Sequence, residues 1–80
     1  MNEKQLKETL TTLMADIFQI EDLLIHESSD IDNVENWDSL NQYNLIMALE
    51  ESFSVEFDAE EILELTSYKS IYDCLKKKIN

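Results

Sequence analysis

The sequence predicts an all-α fold: a bundle of four helices with a long first loop and a short third helix. Three observations carry this. The 80 residues include neither Gly nor Pro, the residues on which tight turns between strands depend. Apolar residues recur at helical spacing in separate stretches. The intervening segments are rich in Asn, Asp and Ser, which cap helices and close turns without glycine. One domain spanning 1–80 is expected, burying only about 60–65% of its unfolded surface and leaving little room for an enclosed active site.

Leu6, Leu10, Leu13, Met14 and Ile17 lie on one helical face and predict a first helix over 3–18. From Gln19 to Asp38 the pattern turns irregular, with Ile20, Leu23, Leu24, Ile25, Ile31, Val34 and Trp37 scattered among polar residues. So long a loop must be pinned or functional. Its apolar residues are expected to pin it, with one short turn around Glu21–Leu24. The second helix is expected over Ser39–Ser52. The segment FDAEEILEL predicts a short third helix, with Asp58 as N-cap and Glu61 as its capping-box partner. The segment SYKSIYDCLKKKI predicts the last, with Ile71, Leu75 and Ile79 on one face. Lys76, Lys77 and Lys78 sit where cations suit a helix C-terminus.

The second helix carries two apolar stripes. With Leu45 as zero, Leu49, Phe53 and Ile46 fall at about 40°, 80° and 100°, a core stripe. Leu40, Tyr43 and Met47 fall at about 220°, 160° and 200°, on another side, flanked by Glu50 and Glu51 at about 140° and 240°. This ridge either docks against a partner or is covered by the long loop, through Trp37 or Ile31.

The formal net charge is −12. All six basic residues (Lys4, Lys7, Lys69, Lys76, Lys77, Lys78) lie near the ends, while every acid except Glu3 and Asp73 lies between Glu8 and Tyr68. Such a surface repels nucleic acid and anionic membrane. It steers toward a basic partner or serves as a solvating face. No apolar run approaches the roughly 18 residues of a membrane span, and no leader pattern opens the chain. Cys74 stands alone, without an intramolecular disulfide partner. Together these predict a soluble, cytoplasmic protein.

Ser39 starts the second helix. It reads first as a cap, in a capping box with Gln42 or beside Asp38, itself a favoured N-cap. A nucleophilic role fails, because such a serine needs a positioned base and the single histidine, His26, has no evident partner. Nor is there a Gly-x-Ser-x-Gly elbow. A hydroxyl at a helix N-terminus can instead carry a phosphodiester, since free amides and the helix dipole favour an anion there. A calcium loop beginning at Asp30 and Asp32 is excluded by Val34 and Glu35, where Asp/Asn and Gly are required, and no metal site is assigned.

Asp38-Ser39-Leu40, followed in register by Ala48-Leu49-Glu50-Glu51 and Phe53, resembles the modification-site helix of the acyl carrier proteins. The resemblance extends over most of the chain. It implies a four-helix bundle of acyl-carrier type that is not itself an enzyme. Its serine would receive a 4'-phosphopantetheine arm from coenzyme A through a phosphopantetheinyl transferase. Ser39 is then the attachment residue and Asp38 the acidic neighbour the transferase reads. Leu40, Tyr43 and Met47 would face partners, and Glu50 and Glu51 would meet basic patches on loading and transferring enzymes. The cargo would be an acyl or aminoacyl thioester, and the protein a monomer. Asn36 stands where the family often has Gly, Asn41 and Asn44 where primary-metabolism carriers usually have acids, and Asp58 where Pro is frequent. Trp37 is bulky beside the site. These departures resemble discrete carriers of specialised pathways, such as surface-glycan modification or secondary metabolism. The competing reading is an unmodified acidic adaptor for a basic partner, with Ser39 only a cap.

The crowded acids predict that Mg²⁺ or added salt raises the melting temperature by relieving self-repulsion. A thermal melt with and without the cation checks this, and an unmoved midpoint would contradict it.

Overall fold

The computed structural model describes residues 2–79. The helices are α1 (Glu3–Phe18), α2 (Ser39–Phe53), α3 (Ala59–Glu64) and α4 (Tyr68–Ile79), with a single 3-10 turn over Asp22–Leu24. No strand occurs among the described residues; one isolated antiparallel bridge joins Asp30 to Ser67. Element order and bounds match the sequence expectation, with α2 one residue longer at its end.

Each helix start has a local chemical cause. Asn2 caps α1 through a box with Gln5, at 2.8 and 3.1 Å. Asp58 and Glu61 form the expected box at α3, at 2.8 and 3.0 Å. Ser67 and Ser70 bond reciprocally at the start of α4. Without glycine, the left-handed residues that end α1 and α2 are Gln19 (φ 56°) and Ser54 (φ 55°). Each accepts a steric cost of about 1–2 kcal/mol to stop its helix.

The core is one apolar cluster. Leu6, Leu10, Met14 and Phe18 of α1 meet Leu45, Ile46, Leu49 and Phe53 of α2, with Leu65, Tyr68, Ile71 and Leu75 closing the far side. The stripe expected to be buried on α2 is the buried one. Within the long loop, Ile25, Val34 and Trp37 are buried and pin it. Leu23, Leu24 and Ile31, expected to help, are exposed instead. Backbone hydrogen bonds do that work: Ile31 donates to Thr66 O (2.9 Å), and Tyr68 donates to Ser29 O (2.8 Å).

The terminal lysines do more than complement a helix dipole. Lys76 pairs with Glu3, and Lys78 reaches both carboxylate oxygens of Glu61 at 2.9 Å. Lys7 pairs with Glu27 at 2.9 Å and lies over the Tyr72 ring. Cys74 is a boundary residue, as its sequence position suggests. Partial burial pushes its thiol up, aided by a long contact to Glu61.

Glu61 is held below the ordinary carboxylate range, first by the Asp58 amide it accepts and next by Lys78. A carboxylate depressed in the folded state contributes stability that is full above its unfolded value and lost as pH falls through the lower folded value. Glu61→Gln keeps the capping acceptor and removes the charge. Its melting temperature should therefore fall less than the wild type's on acidification below about pH 4.3. Equal falls would remove Glu61 from the acid response.

Candidate functional site

Asp38, not Ser39, is the N-cap of α2: its carboxylate accepts the Asn41 amide at 2.8 Å and its carbonyl accepts the Gln42 amide at 2.8 Å. Ser39 is the first helical residue. The expected Ser39–Gln42 capping box does not form, because the Gln42 side chain is engaged elsewhere. Its Oε1 accepts from Trp37 Nε1 at 2.6 Å and its Nε2 donates to Leu65 O at 2.8 Å. A primary amide serves both partners at once, its oxygen accepting from the indole and its nitrogen donating to the carbonyl.

The backbone before Ser39 is set by Asn36, whose φ of 69° is left-handed. Asn tolerates that region better than most residues, which explains how it stands where a glycine is frequent. It also does what glycine cannot: its Nδ2 donates to Phe18 O at 2.8 Å, tying the loop to the end of α1. Asn36 O in turn accepts from Asn41 Nδ2 at 2.8 Å, and Asn44 Nδ2 reaches Asn41 Oδ1 at 3.3 Å. A carboxylate at 41 could not donate that bond, so the neutral residue has a structural reason.

Trp37 is turned inward. It is buried, with its ring centroid 4.9 Å from that of Phe18 and the planes 30° apart. Its bulk lies under the turn and not over Ser39. Ser39 is exposed, and its hydroxyl enters none of the hydrogen bonds that order the turn. The Ser39 and Leu40 amides are the orphan donors of the first turn.

The second stripe of α2 is free. Leu40, Tyr43 and Met47 are 69%, 64% and 48% exposed, so neither Trp37 nor Ile31 covers them. Glu51 is exposed beside them. Glu50 is partly covered, and one of its oxygens accepts the Phe57 amide at 2.9 Å, closing the α2–α3 connection. Sequence reasoning singled out Asp38, Ser39 and the ridge as candidates, and the structure brings them together at the start of α2; it did not single out Asn36 and Gln42 as positioning residues. An Asn in a glycine-free turn was the available signal for the first. For Gln42 none existed, because its partners become neighbours only in the fold.

Comparison with known proteins finds relatives over nearly the whole chain. The phosphopantetheine attachment site family matches residues 8–75. An acyl carrier protein of Buchnera aphidicola subsp. Baizongia pistaciae is 38% identical over 77 residues, 96% of this chain and 94% of its own. One from Thermosynechococcus vestitus is 32% identical over 80 residues, 99% and 98% of the two chains. This chain belongs to the acyl carrier protein family. Members of the family are carriers and not enzymes; they hold a covalent 4'-phosphopantetheine group, receive it from a phosphopantetheinyl transferase and work with partner enzymes. The all-helical architecture is that of this carrier. No helix among the described residues is long and apolar enough to cross a membrane.

Asn36→Ala should destabilise by about 2 kcal/mol, through the left-handed penalty and a lost hydrogen bond. Asn36→Gly keeps the backbone freedom and should lose only the amide bond, about 1 kcal/mol. Urea melts separate the two; equal losses would mean that the positive φ carries none of the effect.

Proposed function

We propose that Ser39 carries the phosphopantetheine arm and that the ridge of α2 docks the enzymes that use it. The observation carrying this reading is an exposed hydroxyl on the first residue of α2, outside the hydrogen bonds of its own turn. A phosphodiester there adjoins the orphan amides and the positive end of the helix. Asp38 keeps the turn in place as N-cap while one face of its carboxylate stays exposed to a transferase. When bound, the arm supplies a thiol that holds an acyl or aminoacyl group as a thioester. The chain itself contributes tethering, which raises the effective concentration of the cargo at a docked enzyme.

Leu40, Tyr43 and Met47 supply the apolar centre of the docking face, and Glu51 supplies charge for a basic patch. Glu50 contributes its remaining oxygen while holding Phe57. The neutral Asn41 and Asn44 make this face less acidic than that of general fatty-acid carriers, which supports service in a specialised pathway. Residues 1–80 act as one monomeric domain in the cytoplasm, a reading supported by the single continuous core and the lone cysteine.

Incubation with a phosphopantetheinyl transferase and coenzyme A should add the arm to the wild type, read by intact mass, and add nothing to Ser39→Ala. Asp38→Asn retains a cap and should be modified about tenfold more slowly, as losing one charged contact of ~1.4 kcal/mol requires. An unmodified wild type, or an equally modified Ser39→Ala, would refute the attachment.

A further inference from the structure

Two large apolar side chains far from the ridge in sequence are left in water. Leu23 is 81% exposed and Leu24 55%, side by side on the 3-10 turn that follows α1. The backbone builds this exposure in. Gln19 ends α1 in a left-handed conformation, and Ile20 donates back to Ala15 O at 3.0 Å. The turn then closes through Leu24, which donates to Glu21 O at 2.9 Å, and Ile25, which donates to Asp22 O at 3.0 Å. Ile20 packs against the core before the turn, and Ile25 is buried after it. A turn pinned at both ends holds its two leucines outward. Glu21 and Asp22 are exposed on the same turn, and Asp16 shares a groove with Asp22 along the end of α1.

An apolar pair that stays wet gains free energy when a partner covers it, and the acids beside it select the partner. A second copy of this chain would set Asp16, Glu21 and Asp22 against themselves across a two-fold contact, on molecules that each carry a net charge of −12. An anionic membrane is repelled for the same reason. The matching surface is an apolar protein pocket rimmed by Lys or Arg. The fold also fixes where the leucines stand relative to Ser39. Phe18, the last residue of α1, stacks on Trp37 and accepts from Asn36 Nδ2 through its carbonyl. The turn that presents the serine and the turn that presents the leucines therefore hang from one buried residue. A fixed spacing between a contact and a hydroxyl helps an enzyme bring that hydroxyl into register. Among the partners that the family implies, the transferase is the one that acts on the serine itself.

We infer that Leu23 and Leu24 are a second docking point, taken up by the phosphopantetheinyl transferase in an apolar pocket with a basic rim while Ser39 lies in its active site. The inference rests on the attachment at Ser39 proposed above.

The test measures kcat and KM for arm transfer to the full chain, read by intact mass, with a transferase that loads the wild type. Leu23→Ser combined with Leu24→Ser should raise KM about tenfold and leave kcat within about twofold, because the contact is made equally in the ground and transition states. The melting temperature should move by less than about 3 °C, since neither side chain is in the core. Leu23→Met combined with Leu24→Met keeps the apolar surface and should keep the wild-type KM. Glu21→Gln combined with Asp22→Asn should raise KM about threefold at low salt, and that difference should vanish near about 0.5 M salt. A KM unmoved by the serine pair overturns the docking point and leaves the attachment standing. A wild type that sediments as a dimer, beside a serine-pair variant that sediments as a monomer, would give the leucines to a second copy and overturns it too. If no transferase loads the wild type, the attachment fails, and this inference with it.

Discussion

Trp37 joins three parts of the chain that have no sequence proximity. Its ring stacks on Phe18 at the end of α1, and its N–H reaches Gln42 in the first turns of α2. Through Gln42 it reaches the carbonyl of Leu65, where α3 ends. The long loop is thereby fixed at its last residues, where the backbone must be exact enough to present Asp38 as cap and Ser39 as first helical residue. Burial of the indole supplies the hydrophobic driving force, and the single polar atom of the ring supplies direction. Remove that contact, and the loop keeps its bridge to Ser67 and its ties to Asn41 but loses the link through Gln42 to Leu65.

The amide chain from Phe18 through Asn36 and Asn41 to Asn44 reinforces the same turn from outside. The two networks divide the work. Trp37 holds the turn down onto the core, and Asn36 holds it to α1 while accepting a left-handed backbone. The consequence is a rigid platform beneath an exposed hydroxyl. On the attachment proposed above, that suits a residue modified by another enzyme, because a transferase would meet a preformed turn and need not order one. It also explains why Asn41 and Asn44 are neutral on a helix that is otherwise acidic at its far end.

How much of this was legible in the sequence depends on the range of the interaction. Caps are local: Asp58 with Glu61, and Asp38 at the start of α2, are readable from three-residue spacings. The two stripes of α2 are likewise readable from a 100° projection, and the buried stripe is the predicted one. What the projection left open was whether Leu40, Tyr43 and Met47 are covered. Only the packing of Trp37 against Phe18, which takes the ring away from the ridge, decides that they are free.

By itself the sequence determined the helices, their order and the position of the serine, because periodicity and capping chemistry act within a few residues. The motif register around Asp38-Ser39-Leu40 likewise lies within one helix. The tertiary structure decided which residues of the long loop pin it, since Ile25, Val34 and Trp37 find the core while Leu23, Leu24 and Ile31 do not. It also decided that Gln42 bridges Trp37 to Leu65 and is no cap, and that Glu50 holds the Phe57 amide beside any role at the surface. These outcomes rest on contacts between segments distant in sequence or on the exact course of a connection, which no spacing rule encodes.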